Sequence, residues 1–166
     1  MATTKLKGND VNTSGDLPLV GQEAPAFTVT GADGAEVSLD QYAGRKVVLN
    51  IFPNIETSVC AMSVRRFNEL ASRLENTTVL CLSNDQPETL SNFCAAEGLS
   101  NVVVGSGVGQ GFGDSYGLTI VDGPLAGRLA RSVVVVNEHG EVVLTELVPE
   151  ITQEPDYDAA LEVLKN

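Results

Sequence analysis

The chain has 166 residues, of which 43% are hydrophobic and 19% are charged, a balance typical of one folded domain with a substantial core. Lysine and arginine total 10 against 22 aspartates and glutamates, so the formal net charge is −12. Such an acidic chain lacks the clustered cations that bind nucleic-acid phosphates or an anionic membrane surface. No apolar run approaches the roughly 20 residues of a membrane span. We therefore expect neither nucleic acid nor membrane as a partner.

The cysteine content indicates a reducing environment. Three cysteines are too few, and odd in number, for a disulfide framework. The first 16 residues are polar and have no apolar stretch of the kind that a secretory signal requires. Both features predict a cytoplasmic protein. The cysteines and the single His139 show no paired ligand spacing, so we predict no metal site.

In chain order, strand and helix patterns alternate over most of the sequence. The first 19 residues begin polar and turn apolar near Leu17, which favours a short hairpin or an arm. Strand patterns then occupy 26–30, 35–39, 47–52, 77–83, 102–104, 132–136 and 141–145. Helix patterns occupy 40–44, 64–74 behind an N-cap at 57 or 58, 86–98, 114–118 and 156–164. This order predicts an α/β, thioredoxin-like fold: a central mixed β-sheet flanked by helices, with an N-terminal β-hairpin.

The strand and helix in the first half of the chain carry the main candidate for chemistry. The apolar run 47–52 predicts a buried strand that Pro53 ends, and Thr57 or Ser58 is a good N-cap for the helix that follows. Either N-cap puts Cys60 in the first helical turn, where free backbone N–H groups and the helix dipole favour a thiolate. Cys60 is thus a candidate nucleophile, whereas a buried, inert thiol is the commoner role of a cysteine.

Three other kinds of site fit the sequence less well. A cysteine hydrolase needs a histidine base, and the only histidine, His139, lies in a predicted hairpin turn. The glycines of 105–113 do not have the spacing of a dinucleotide-binding loop and favour a flexible surface loop, so we predict no cofactor. A dithiol reductase needs Cys-x-x-Cys, but Ser63 stands where the second thiol would be. Thiol–peroxide chemistry remains, because an ionised thiol needs no external base.

Pro53, Thr57 and Cys60 form the pattern Pro-x-x-x-Thr-x-x-Cys, which resembles the active-site motif of the peroxiredoxins. The likeness extends over 47–70, 78–99 and 122–164, where the chain resembles the bacterial thiol peroxidases, a group of atypical 2-Cys peroxiredoxins. Its most specific segments are 122–125, 130–134 and 150–157. The chain departs from the usual Ser-Ile-Asp-Thr after the proline, where Asn54 and Glu56 replace the serine and the aspartate, and Ser58 stands where glycine or proline is common.

The resemblance assigns roles to individual residues. It implies that Cys60 is the peroxidatic cysteine, Cys94 the resolving cysteine and Arg131 the active-site arginine. On the residues alone, Arg131 could instead form a surface salt bridge, and Arg128 is the nearest competing arginine. Thr57 would contact the reacting oxygens, and Pro53 would shield the thiolate. On the residues alone, Cys94 could equally be a core thiol, because it lies on an apolar helix face; the same role is predicted for Cys81, which lies within a strand.

The resemblance also implies an activity. It implies a single peroxiredoxin domain over 1–166 that reduces hydrogen peroxide and organic hydroperoxides through a sulfenic acid and an intrachain disulfide. Thioredoxin would be the reductant, and the protein would be a cytoplasmic homodimer with an antioxidant role, using surface near Cys60 and the 105–113 loop. Two alternatives stay open: a monothiol disulfide-exchange protein and a peroxide-sensing redox module.

Overall fold

The computed structural model describes residues 1–165. The described residues form β-strands and helices. The strands are β1 (Thr3–Leu6), β2 (Asn9–Asn12), β3 (Thr28–Gly31), β4 (Glu36–Ser38), β5 (Lys46–Ile51), β6 (Thr77–Ser83), β7 (Val103–Ser106), β8 (Ser132–Val136) and β9 (Val142–Leu147). The helices are α1 (Ser58–Ala71), α2 (Pro87–Glu97), α3 (Phe112–Ser115) and α4 (Tyr157–Leu164), with a 3-10 helix at Leu39–Tyr42. None of the helices within the described range is long and apolar enough to cross a membrane.

Seven strands form one sheet in the order β4-β3-β7-β6-β5-β8-β9. The central strands β5, β6 and β7 are parallel, and β8, β9 and β3 join them in antiparallel pairs, so the predicted mixed sheet is confirmed. The predicted N-terminal hairpin is also present, since β1 pairs with β2 as a separate two-stranded sheet.

Each face of the sheet is covered by a different part of the chain, because successive side chains of a strand point to opposite faces. On one face Val48 packs with residues of α1, α2 and α4, including Phe67, Leu90 and Ala160. On the other face Val47 packs with Phe112 and with the segment that follows α3. Both sets of side chains are buried, so the sheet lies between two hydrophobic layers.

The glycine-rich segment 105–113 corrects two sequence predictions. It is not a single flexible surface loop, because Gly105 lies in β7 and Gly113 lies in α3, both buried. A Cβ on Gly113 would overlap the side chains of Thr119 and Leu129, so this glycine is needed for close packing. The short helix begins at Phe112 rather than at 114, because the apolar ring of Phe112 is buried against Phe27 and starts the turn inside the core.

The strand register brings distant segments to one edge of the sheet. The parallel strands β5 and β6 end side by side there, with Ile51 opposite Leu82. Because β8 runs antiparallel to β5, its first residue, Ser132, lies opposite Ile51 at the same edge. The segments after β5 and β6 and the residue before β8 are therefore neighbours in space.

Candidate active site

Cys60 lies in the first turn of α1, as the sequence predicts, and its side chain has no exposed surface. Thr57 is the N-cap residue, but its side chain makes no capping hydrogen bond. Its hydroxyl instead donates to the carbonyl oxygen of Asn54 at 3.0 Å. The hydroxyl keeps its lone pairs free to accept a hydrogen bond, because the proton alone is used.

Arg131 is the charged partner of the Cys60 sulfur. It precedes β8 by one residue rather than beginning the strand. Its Nη2 donates to Cys60 Sγ at 3.1 Å, and its Nε donates to the carbonyl oxygen of Ile151 at 2.7 Å. The residue is only 2% exposed. A guanidinium at this distance stabilises negative charge on the sulfur, since burial weakens solvent screening.

One nitrogen of Arg131 has no partner among the residues that the structure describes. Within residues 1–165, Nη1 is buried and no hydrogen-bond acceptor lies within reach of it. Leaving a buried donor unsatisfied costs about 1–3 kcal/mol, and such groups in a folded protein call for an explanation. A bound oxygen atom beside Cys60 would remove that penalty.

A mainly apolar cavity of about 610 Å³ adjoins this cluster. Pro53, Thr57 and Arg131 all line it, so the fold brings together three of the predicted site residues. Cys60 is placed just behind them, in contact with Arg131. The hairpin of β1 and β2 forms the opposite wall, with Leu6 and Val11 among the lining side chains. The sequence contained no local signal for this wall, because the hairpin is remote in sequence from Cys60.

Glu150 fastens that hairpin. Its carboxylate accepts hydrogen bonds from the backbone N–H groups of Lys7 at 3.1 Å and Gly8 at 2.8 Å, and from that of Thr152 at 3.0 Å. These bonds, with that from Thr152 the strongest, lower the pKa of Glu150 to about 2. The ionised side chain thus holds the turn of the hairpin to the segment that also lines the cavity.

Asp85 and Arg128 are neighbours of the site; the sequence reasoning missed Asp85 and considered Arg128 only as an alternative to Arg131. Asp85 Oδ2 accepts from the backbone N–H of Ile55 at 2.8 Å, and Oδ1 accepts from Arg128 Nη1 at 2.9 Å. Arg128 Nη1 also reaches the carbonyl oxygen of Pro53 at 3.5 Å. Asp85 follows the carboxyl end of a parallel strand, a position at which polar residues often serve function, and this signal was present in the sequence.

A series of buried hydrogen bonds supports the first turn of α1. Ser63 Oγ donates to the carbonyl oxygen of Cys60 at 2.7 Å, and Asn50 Nδ2 donates to Ser63 Oγ at 3.3 Å. Asn50 Nδ2 also contacts Cys81 Sγ at 3.6 Å. Cys81 is fully buried, and burial raises the pKa of its thiol to about 12. Cys81 therefore has the properties of the core thiol that the sequence predicts.

Cys94 does not line this cavity and lies on a different helix from Cys60. It is half-buried on α2, packs against the same hydrophobic layer as Cys60, and lines a groove with Ala32 and Ser91. Burial raises the pKa of its thiol. Cys60, Cys81 and Cys94 are all free, so this is the reduced form of the protein.

Among residues 1–165, no three histidine, cysteine, aspartate or glutamate side chains are close enough together to hold a metal ion. The side chains of Cys60, Thr57 and Arg131 supply a thiol, a hydroxyl and a guanidinium at the cavity. This set can deliver a thiolate to an electrophile and stabilise negative charge that develops on an oxygen.

Comparison with known proteins agrees with the resemblance seen in the sequence. A model of the Redoxin family matches residues 19–161. The thiol peroxidase of Mycobacterium tuberculosis is 54% identical over 164 residues, which are 99% of each chain. The thiol peroxidase of Corynebacterium glutamicum is 52% identical over 164 residues, again 99% of each chain.

A solved structure extends the likeness to three dimensions. The crystal structure of a peroxiredoxin-like protein from Aquifex aeolicus superposes with a TM-score of 0.92 at 34% identity, covering 99% of this chain and 96% of its own. The predicted thioredoxin-like architecture is thereby confirmed. With a family model over most of its length and relatives more than half identical over almost all of it, the chain belongs to the redoxin family, in the group of the bacterial thiol peroxidases.

Proposed function

We propose that this protein is a thiol peroxidase that reduces hydrogen peroxide and organic hydroperoxides with Cys60 as its nucleophile. The observation that carries the proposal is the guanidinium of Arg131. One of its nitrogens donates to the Cys60 sulfur, and another is buried without a partner among the described residues. A peroxide brings two adjacent oxygens, of which one can meet the sulfur while the other accepts from Arg131.

In the first step the Cys60 thiolate attacks the nearer peroxide oxygen. The S–O bond forms as the O–O bond breaks, and the departing oxygen takes both electrons of that bond. With a proton it leaves as water or an alcohol, and Cys60 becomes a sulfenic acid. Arg131 stabilises the negative charge on the departing oxygen, the Thr57 hydroxyl accepts a hydrogen bond from the peroxide, and Pro53 limits access of water.

In the second step Cys94 resolves the sulfenic acid. Its thiol attacks the Cys60 sulfur, the disulfide forms, and the sulfenic oxygen leaves as water. A disulfide requires Cα atoms within about 7 Å. The axes of packed helices are about 8–10 Å apart. We therefore expect the first turn of α1 and the chain around Cys94 to unwind locally for this step. A dithiol protein such as thioredoxin then reduces the disulfide by thiol–disulfide exchange.

The likeness to the bacterial thiol peroxidases also suggests how the protein assembles and where it is located. We propose a cytoplasmic homodimer formed by a single domain over 1–166, with contacts near Cys60 and the 105–113 segment. Two apolar side chains support this choice of surface, because Met62 on α1 and Val108 in the 105–113 segment are exposed. Sedimentation that shows only monomer at micromolar concentration would contradict the dimer and leave the catalytic proposal intact.

The function is tested by peroxide consumption coupled to thioredoxin and its reductase. The wild-type protein should turn over, and Cys60→Ser should lose activity completely. Cys81→Ala is the matched control, because Cys81 is a buried cysteine without a proposed step, and it should retain turnover. Turnover by Cys60→Ser would refute the proposed nucleophile. A protein that forms a sulfenic acid but does not turn over would instead be a sensing module.

The resolving step is tested by peptide mapping after one equivalent of peroxide. We expect a Cys60–Cys94 link within one chain. A Cys60–Cys81 link, a link between chains, or a lasting sulfenic acid with Cys94 still free would refute the assigned resolving residue. A persistent mixed disulfide with a small thiol would favour the monothiol exchange alternative.

A further inference from the structure

We propose that Asp85 and Arg128 are positioning residues that hold the segment before α1 in its folded form and so set the balance between the peroxide step and the disulfide step. The inference rests on the function proposed above, in which Cys60 reacts while folded and meets Cys94 only after local unwinding. Neither residue touches the Cys60 sulfur. Both act through the backbone of residues 53–55.

Asp85 is a buried carboxylate with an unusual set of partners. Its side chain is only 4% exposed, although it carries a charge. Oδ2 accepts from Ser83 Oγ at 2.7 Å and from the backbone N–H of Ile55 at 2.8 Å. Its own carbonyl oxygen accepts from Ser106 Oγ. Burial of a carboxylate is costly unless it is hydrogen-bonded and paired, so these contacts select one arrangement of the segment before α1.

Arg128 supplies the opposite charge. Its Nη1 is 2.9 Å from Asp85 Oδ1 and 3.5 Å from the carbonyl oxygen of Pro53. Its side chain is 36% exposed, so it is the solvent-facing half of the ion pair. The ion pair therefore holds the carbonyl group of Pro53 and the N–H group of Ile55 at the edge of the sheet where β5 and β6 end. The Pro53 end of this segment lines the cavity.

The same pair lies beside the helix that carries Cys94. Asp85 directly precedes Gln86, the N-cap residue of α2. Ile55 and Glu56 share a crevice with Thr89 and Phe93 of that helix. Unwinding that extends from the first turn of α1 back to Ile55 has to break the Asp85 bonds and separate Ile55 from α2. The bonds that position the site for peroxide thus oppose the motion that forms the disulfide.

We call the bonds of Asp85 and Arg128 to residues 53–55 the clamp. The two steps respond to this clamp in opposite directions. In the peroxide step the sulfur of Cys60 gains an oxygen and the peroxide is reduced, and the folded segment is required. In the disulfide step Cys60–SOH and Cys94–SH give the disulfide and one water, and the unwound segment is required. A weaker clamp therefore slows the first reaction and accelerates the second. A residue that merely stabilised the fold would have no reason to accelerate either.

The test is single-turnover kinetics of Arg128→Met. Reduced protein is mixed with hydrogen peroxide, samples are quenched at intervals, the sulfenic acid is trapped with dimedone, and free thiols are counted. The rate of the peroxide step is proportional to peroxide concentration, whereas that of the disulfide step is independent of it. Such bonds usually contribute about 1 kcal/mol, so we expect the ratio of the second rate to the first to rise about three- to tenfold.

Two further variants control the experiment. Arg73→Met removes the same charge from the exposed Arg73–Glu69 pair at the end of α1, and it should change neither rate. Arg128→Lys keeps a positive charge near Asp85 and should lie between wild type and Arg128→Met in both rates. Circular dichroism at the assay temperature shows that each variant is folded.

The outcomes separate this inference from the proposed function. Opposite changes in the two rates, confined to the Arg128 variants, would support the clamp. Unchanged rates, two rates that fall together, or equal effects in Arg73→Met would overturn it. If the wild-type protein itself forms no Cys60–Cys94 disulfide, the proposed resolving step fails before the clamp is in question.

Discussion

Replacement of Arg131 by methionine tests the central contact of the site. Methionine is unbranched and fills irregular space, so it preserves much of the packing while removing every donor. The change removes the bond to Cys60 Sγ, the bond to the carbonyl oxygen of Ile151, and the free Nη1. Loss of the bond to Cys60 and of the free Nη1 affects the reaction, whereas loss of the bond to Ile151 affects the stability of the fold.

The size of the effect follows from these three groups. Loss of one donor aimed at a developing oxyanion typically lowers a rate about 10²- to 10³-fold, which corresponds to about 2.7–4 kcal/mol. We expect a loss of this size in the second-order rate constant for peroxide. The orphaned Ile151 carbonyl destabilises the fold by about 1–3 kcal/mol. Most domains are stable by about 5–15 kcal/mol, so the variant should remain folded.

The assay is the loss of free Cys60 thiol after mixing reduced protein with a range of peroxide concentrations. Arg131→Lys keeps the charge without the planar fork and should lose less than the methionine variant. The rate constant of Arg73→Met should be unchanged within about twofold, because Arg73 is exposed just beyond the far end of α1. A folded Arg131→Met protein whose rate constant falls less than about fivefold would refute the argument that Arg131 stabilises the departing oxygen.

Two further predictions concern stability. Glu150→Gln should destabilise the protein at pH 7, because the folded pKa of about 2 lies below the usual value. Its usual value is about 4.3. The ionised Glu150 side chain therefore stabilises the fold fully above the unfolded pKa of about 4.3, and this stabilisation is lost as the pH falls toward 2. Urea midpoints of wild type and variant should thus converge in acid, and a constant gap would contradict this. Gly117→Ala should destabilise the protein, because φ at Gly117 is +68° and a Cβ there would collide with the Asp16 backbone. The overlap by itself typically costs about 1–3 kcal/mol. Gly140→Ala, at φ +79° with open space, is the control and should lose less in the same urea titration.

Local patterns were sufficient to predict most of the elements. The apolar run of 47–52 and the helical spacing after it predicted β5 and α1, because burial of a strand or of one helix face leaves a period in the sequence. Proline near the start of α2 and Gly98 after its end predicted that helix closely, and Gly98 is indeed left-handed at φ +64°. The short helix α3 was misplaced, because four residues carry too little period to locate their ends.

Local patterns also predicted part of the site. Cys60 in the first turn of α1 followed from the strand, the proline and the N-cap. The bond that Thr57 makes did not follow, because its hydroxyl turns back to Asn54 instead of capping the helix. Asp85 was passed over because an aspartate after a strand is usually an ordinary turn residue. Its place after a strand was visible in the sequence, but its partners, Ile55 and Arg128, are identified only by the folded structure.

The sequence by itself determined which residue types were available and which of them begin or end an element, since these depend on neighbours a few positions away. The tertiary structure decided which of them meet. Arg131 is 71 positions from Cys60, and it reaches the sulfur because Ile51 pairs with Ser132 across antiparallel strands. The hairpin wall of the cavity depends in the same way on Glu150, which is more than 140 positions from Lys7 and Gly8. Such pairings depend on the summed packing of the whole sheet, and no local period records them.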